Sequence, residues 1–495
     1  MQEGGYRMVL KEIYFKSIKE ILETIDAGEL TVAELVQYCL GNIEKYQEEL
    51  KAVISVNPNA KEEAEEIDRN WKQFRAGKKL PGIPILLKDN VEQAGTVTTA
   101  GSLSLRDFVA EQDAFIVKKL KMEGAIIIAK TNLHEFAIWG ETISSIAGQA
   151  VNPYDTTRTP GGSSGGTGAG LAVMMGVAGI GTDTINSVRS PASANSLVGI
   201  RPSLGLVSRR GIVPYSLKQD TAGPITRCVA DAALMLDVIA GYDREDALTE
   251  LCRDKVIGDY EKHLLQDGLK NKKIAVMQSF FGKEKQHVEV NEIVWGAIEK
   301  LKEMGAAVEI LNIPIDSQDL VREVCIHMYD FNADISAYLN KKGKAVRYGS
   351  LKEIYDSGEI GADVKENIED ALKLTKDCDE YRNRLQKQSA LKEKMYRIFE
   401  DNHFDVIVYP HQQQLVCKIG EKQNGRNGSL GSSTGFPSIV VPAGFSEPTV
   451  DAPIGVPVGL EFLAPPFEEG RLIEIAYCLE QNVPVRRMPQ IFKNR

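Results

Sequence analysis

The sequence predicts an α/β protein whose one sheet is assembled from both ends of the chain, and three observations carry that expectation. A helix, a glycine stop and a buried strand follow one another in DAFIVKKLKMEGAIIIAKTN (113–132) and again in VWGAIEKLKEMGAAVEILNIP (294–314). Short apolar runs, GIPILLKDN (82–90), FDVIVYP (404–410) and GFPSIVVPAGF (435–445), read as buried strands on either side of a long charged stretch. No proline- or glycine-rich linker separates independent domains, so the repeated unit reads as the rhythm of a sheet and not as a duplicated domain.

Taken in order, residues 15–78 are expected to be helical. LTVAELVQYCLGNIEKYQEEL opens with Thr31 and Glu34 in capping-box spacing, and its apolar residues recur at three and four. KEEAEEIDRNWKQFRAG gives a second, heavily charged helix. GIPILLKDN then makes a short strand ending at Lys88. The stretch 160–205 is rich in glycine and serine and poor in charge, whereas 315–400 is charged and helical with weak sheet signals. EEGRLIEIAYCLEQN (468–482) closes the chain as an amphipathic helix.

Composition sets limits on function. An apolar content of 43% with 26% charged residues is that of an ordinary globular protein. A net charge of −10 argues against direct binding to a phosphate backbone, though not against a nucleic acid brought by a partner subunit. The N-terminal MQEGGYRMVLKEIYFKSIKE is charged throughout and lacks a signal peptide's apolar centre, and GLAVMMGVAGIG (170–181) is too short to span a bilayer. Seven scattered cysteines without a CxxC pair read as reduced thiols. The expectation is a cytoplasmic protein without membrane contact.

TPGGSSGGTGAG (159–170) invites several readings. It contains no GxxxxGK[ST], and GGTGAGL misses the GxGxxG spacing, so it is not a phosphate cradle. It matches GxSxG through Ser163 and through Ser164, but a nucleophile elbow needs a buried strand just before the serine, and NPYDTTRTP is polar. His327 and His411 are the available partners for such an elbow, and each reads as a structural or pocket-lining histidine. A serine nucleophile otherwise needs another base. Lys88, behind the apolar Pro84–Leu87, would serve if burial kept it neutral, although a lone strand-end lysine ordinarily reaches for solvent.

In their order, GIPILLKDN, TPGGSSGGTGAG, GTDTINSVRSPASANSLVGIRPS, QDTAGPITR, GFPSIVVPAGF and GVPVGLEFLAPPFEEGRL resemble an amidase-signature enzyme from about residue 18 onward. Only 315–400 and CKIGEKQNGRNGSLG (417–431) lack family character. The resemblance implies a single α/β/α domain around a large, mixed, twisted sheet, and a serine hydrolase cleaving a carboxylic amide with no metal or cofactor. It divides the chain into an N-terminal helical segment (1–80), a catalytic core (81–240), a helical insertion shaping the substrate entrance (315–400) and a return to the core sheet (401–495).

By the same resemblance, Lys88 is the catalytic lysine, Ser163 the bridging serine held by a cis peptide bond, and Ser187 the nucleophile that forms the acyl-enzyme. Backbone amides of the turn at Thr184, Ile185 and Asn186 make the oxyanion hole, and Ala137, in EFAIWGET, lines the acyl pocket. Asp183 and Arg189 flank the nucleophile at a spacing suited to an ion pair. YPHQQQ (409–414) points to a polar pocket wall. The lysine is expected at a pKa of ~7–8 through burial, with Asp89 opposing if it turned inward. Where the family reads Gly-Gly, this chain has Ile185 and Asn186. Any positive φ is expected at Asn186, with β-branched Ile185 at negative φ.

The expected partner is a small-molecule or peptide amide, bound by a monomer or homodimer. Three alternatives stand beside a stand-alone amidase: the glutamine-hydrolysing subunit of a tRNA-dependent amidotransferase, a carbamate or urea-type hydrolase, and a non-catalytic binding protein. The QDTAGP segment favours the stand-alone enzymes, peptide C-terminal amidases among them.

Overall fold

Eleven strands form one mixed sheet in the computed structural model, which describes residues 12–255 and 258–492; the first eleven residues of the charged N-terminal stretch lie outside the described residues. The strands are β1 (Val53–Val56), β2 (Pro84–Lys88), β3 (Ile126–Thr131), β4 (Ala178–Asp183), β5 (Val198–Arg201), β6 (Thr221–Thr226), β7 (Lys273–Met277), β8 (Ala307–Leu311), β9 (Val406–Pro410), β10 (Ser438–Phe445) and β11 (Pro457–Leu463). Their order across the sheet is β1-β3-β2-β4-β6-β5-β10-β11-β9-β7-β8. β3, β2 and β4 run parallel in one half and β9, β7 and β8 in the other, with antiparallel pairs between. The halves meet where Ile200 of β5 faces Ile439 of β10, so the two ends of the chain do share one sheet.

The capping box forms as its spacing predicts. Thr31 Oγ1 accepts from Glu34 N at 3.1 Å, Glu34 Oε2 accepts from Thr31 N at 2.8 Å, and the helix runs Val32–Leu50. Both helix–glycine–strand units are present, as Phe115–Met122 before β3 and Val288–Glu303 before β8. The N-terminal region is not wholly helical, however. VISV makes the edge strand β1, antiparallel to β3, with only Val53 buried. Four residues between helices, one of them buried, carry too short a pattern to announce a strand.

Residues 315–400 contain helices at Ser317–Glu323, His327–Lys342, Leu351–Ser357 and Lys365–Lys373, and the start of a long one at Asp379–Asn402. Phe331, Ile335, Leu339 and Ile354 share one buried apolar cluster with Phe136 and Tyr215, whose rings meet that of Phe331. Each such side chain contributes roughly 1.5–3 kcal/mol of transfer free energy. Polar ties fix the docking: Ser216 Oγ donates to Asp330 Oδ2 at 2.6 Å and Leu217 N to Asp334 Oδ2 at 2.7 Å, while Tyr381 OH, within the segment, donates to Asp330 Oδ1 at 2.8 Å. The helical segment is thereby held beside the C-terminal ends of β2 and β4. All seven cysteines are free, and no helix of the described residues is long and apolar enough to cross a membrane.

Candidate active site

Lys88 ends β2 behind Ile85, Leu86 and Leu87, and all four side chains are fully enclosed. Its Nζ donates to Ser163 Oγ at 2.7 Å and to Thr182 Oγ1, on neighbouring β4, at 2.9 Å. Burial lowers its pKa to about 7, against the pull of the Asp183 and Asp220 carboxylates. Asp89 does not oppose this: it pairs with Lys130 at 3.0 Å and accepts from Thr99 N at 2.8 Å.

Ser163 is reached through a cis Gly162–Ser163 peptide. No strand precedes it, so the elbow that GxSxG would require is absent; a helix, Gly165–Ala172, follows instead. Glycine is needed here for space as well as for dihedrals. Gly161 has φ +69°, and a methyl at Gly166 would lie 2.4 Å from the carbonyl oxygens of both Ala52 and Asn132. Ser163 O accepts from His134 N at 3.0 Å, and Ser164 N donates to Ser187 O at 3.2 Å. That last bond lays the serine loop directly against the turn that carries Ser187.

Ser187 is 7% exposed and opens into a cavity of about 540 Å³. Among the described residues its hydroxyl makes no hydrogen bond, to Ser163 or to any other group, and the amides of Ile185, Asn186 and Ser187 donate to no protein acceptor. Three consecutive free N–H groups beside a free hydroxyl form a ready donor set for an oxygen anion. Neither Ile185 nor Asn186 takes a positive φ. The expectation for Ile185 holds, and the occasion for a positive φ at Asn186 does not arise, so the φ angles of this turn do not demand glycine. Ile185 lines the cavity, Thr184 Oγ1 donates to Asp220 Oδ1 at 2.6 Å, and Asn186 Oδ1 is buried without a partner. Ala137, at φ +60°, faces the same cavity.

The expected Asp183–Arg189 pair exists, at 3.0 Å, within a larger buried network. Arg201 also reaches Asp183, at 2.8 Å, and Arg189 bridges on to Glu461. Glu461 takes further hydrogen bonds from His411 Nδ1 at 2.6 Å and Tyr409 OH at 3.1 Å. Burial pushes both carboxylates up, but the guanidiniums outweigh it, holding Asp183 well below the usual range and Glu461 at about 2. Val188 N donates to Asp183 Oδ2 at 3.0 Å, and Arg189 donates to Ile185 O, so the network grips the turn on both sides of Ser187. Sequence reasoning missed Arg201, Glu461 and Asp220. A lone glutamate within the apolar PVGLEFL was the available signal for Glu461.

The cavity walls come from 137–139, 184–187, Tyr215, the helical segment between 317 and 384, and the loop 423–426. His327 belongs to that wall. Burial lowers its pKa to about 4, aided by Arg384, and its Nδ1 has no partner. YPHQQQ does not reach the wall: His411 is sealed against Glu461, and Gln423–Arg426 stand in its place. A larger cavity, about 860 Å³, lies near Phe15, Arg227 and Arg486, where none of the expected site residues is found. Among the described residues no group of three or more His, Cys, Asp or Glu side chains is placed to hold a metal ion.

Residues 34–473 match the amidase family. A glutamyl-tRNA(Gln) amidotransferase subunit of Thermoanaerobacter pseudethanolicus is 32% identical, across 97% of this chain and 99% of that protein. The native peptide amidase of Stenotrophomonas maltophilia has a similar structure, with a TM-score of 0.88 at 32% identity over 96% of this chain and 98% of that one. The corresponding glutamyl-tRNA(Gln) amidotransferase subunit of Thermotoga maritima gives 0.75 at 28% identity, over 97% and 98%.

Proposed function

Because this chain belongs to the amidase family and is an amidohydrolase of it, we propose that it cleaves a carboxylic amide through an acyl-enzyme on Ser187, with Ser163 and Lys88 as the proton relay. The observation that carries this reading is the Lys88 amine, enclosed and with its pKa lowered to about 7, 2.7 Å from the Ser163 hydroxyl. An ordinary lysine is almost fully protonated at neutral pH and cannot act as a base; this one is neutral in a large fraction of molecules.

Neutral Lys88 takes the Ser163 proton as Ser163 takes that of Ser187, and Ser187 Oγ bonds to the amide carbon. The Ser163–Ser187 link closes when substrate binds, since catalytic hydrogen bonds are commonly long in unliganded sites. The oxyanion accepts from the free amides of Ile185, Asn186 and Ser187. The relay then runs backwards, the proton reaches the leaving nitrogen, and the C–N bond breaks. Water repeats the sequence on the acyl ester. Ala137 bounds the acyl group, and the Ile185 side chain narrows the space beside the nucleophile.

Purified protein, with no partner present, is to be offered peptide amides, simple carboxamides, glutamine and carbamates, with ammonia or amine release measured and the acyl adduct located by mass spectrometry. Turnover of carboxamides with the adduct on Ser187 supports the reading; no adduct on any substrate sinks it. A second reading, the glutamine-hydrolysing subunit of an amidotransferase, is favoured by the 32% identity to the Thermoanaerobacter protein. Glutamine hydrolysis that appears only with partner subunits would establish it. The higher TM-score to the peptide amidase, 0.88 against 0.75, supports the stand-alone enzyme.

A further inference from the structure

We propose that Asp220 is a positioning residue of this site, tying the oxyanion turn to the cavity wall and placing a negative charge near Lys88, across the small cavity that Thr182 and Asp220 both line. The inference rests on the acyl-enzyme reading above. Asp220 Oδ1 accepts from Thr184 Oγ1 at 2.6 Å, immediately before the turn whose amides face the cavity. Its Oδ2 accepts from Tyr215 N and Ser216 N, each at 2.9 Å. Tyr215 is part of the cavity wall, with its ring against His327 at 5.3 Å, and Ser216 is bonded to Asp330 of the helical segment. One carboxylate therefore joins the turn, the wall and the inserted helices.

Its charge has an unusual setting. The groups facing it are Arg209, Arg201, Tyr215 and Lys88. Arg209 spends its guanidinium on Asp246 and Arg201 on Asp183, so Asp220 takes three neutral donors and no direct cation. Burial accordingly raises its pKa to about 6, against those hydrogen bonds and Arg209. Lys88 feels the carboxylate without touching it. In the resting enzyme Lys88 must be neutral, and in mid-reaction it must hold a proton. A nearby charge that is not hydrogen-bonded to it favours the second state without locking the lysine out of the first.

Asp220→Asn keeps the size and an acceptor oxygen but removes the charge. The acidic limb of kcat/KM should move to lower pH by on the order of half a unit to one unit, because the lysine loses a partner that favours its protonated form. Thr184→Val cuts the tie and leaves the charge. It should lower kcat on the order of tenfold on every amide with KM little changed, and Thr184→Ser should restore it. Thermal melts run in parallel establish folding, and if the Asp220 variant does not fold, the Thr184 pair decides. An unmoved limb in Asp220→Asn, or wild-type kcat in Thr184→Val, overturns the inference. Absence of any acyl adduct in the wild type would instead overturn the reading on which it rests.

Discussion

Replacing Lys88 by methionine should abolish turnover and also remove a pH dependence from the protein's stability. Burial lowers the folded-state pKa from 10.5 to about 7. At a little over 1 kcal/mol per unit, that difference amounts to roughly 5 kcal/mol. The direction follows from proton counting. Between the two values the unfolded chain retains a lysine proton that the folded chain has released, so folding becomes more favourable as pH rises. The contribution is complete above the unfolded pKa and is lost as pH falls to the folded one. Methionine has no such proton. It also leaves Ser163 Oγ and Thr182 Oγ1 without their lysine donor, a cost of ~1–3 kcal/mol that does not vary with pH. Urea unfolding of both proteins at several pH values isolates the effect, since groups not coupled to Lys88 cancel in the difference and Asp183 and Asp220 are already ionised in the window used. The stability of the wild type relative to Lys88→Met should climb by about 3 kcal/mol between roughly pH 7.5 and 9.5. Parallel profiles would mean that Lys88 titrates as an ordinary lysine, and the neutral base would have to be abandoned.

The same pKa sets the rate. kcat/KM on an uncharged amide should fall about tenfold per unit below pH 7 and level off on the alkaline side, and a flat profile between about pH 5 and 9 would contradict the mechanism. Ser187→Ala should lose both turnover and the acyl adduct with its circular dichroism unchanged, while Ser163→Ala should lose ~10²–10⁴ in rate; an adduct on Ser164 would revive the elbow. Exchanging Ile185 and Asn186 together for glycine should widen the acyl groups accepted while peak kcat on the best substrate stays within about tenfold, because the turn already offers its amides without positive φ. A large gain on every amide would show the native turn to be malformed. Arg189→Leu leaves buried Glu461 without a guanidinium and Asp183 with Arg201 alone, and should cost ~3–5 kcal/mol in urea unfolding; a loss below about 1 kcal/mol would show that the remaining partners, Arg201 on Asp183 and His411 and Tyr409 on Glu461, suffice.

Much of this architecture is legible wherever a run is long or its punctuation strong. Thr31 and Glu34 announce a helix start, and PILLK announces a strand with a lysine at its end. The central strands AGIGTD, VGIR and TAGPIT are less legible, because small residues replace the large apolar ones that mark a buried strand. They are small because the serine loop, the turn and the neighbouring backbones crowd there: a methyl on Gly223 would lie 2.0 Å from Ile200 O. The site shows the same division. Lys88, Ser163 and Ser187 lie within compact motifs, and the resemblance that joins them marks all three. Glu461 lies 272 positions from Arg189, and Arg201 and Asp220 meet Asp183 and Thr184 across 18 and 36 positions, pairings that no local pattern records. That neither Ile185 nor Asn186 would need a positive φ was likewise not legible, because residue types do not fix the dihedrals of a turn.

Much of the wall that faces Ser187 lies outside the strands that hold Lys88 and Thr182. Lys88 and Thr182 sit on paired parallel strands, fixed by the backbone ladder. Gln318 and Asn424 sit on a helix and a loop outside the sheet, and both are exposed. Random substitution will therefore meet two unlike tolerances. Libraries at 318, 321 and 424 sample altered selectivity in clones that mostly stay folded, whereas libraries at 182 or 201 return mostly inactive, unstable clones. Lineages that inherit this sheet are free to exchange one amide for another by rewriting a few surface positions, and the reaction itself stays where the strands put it.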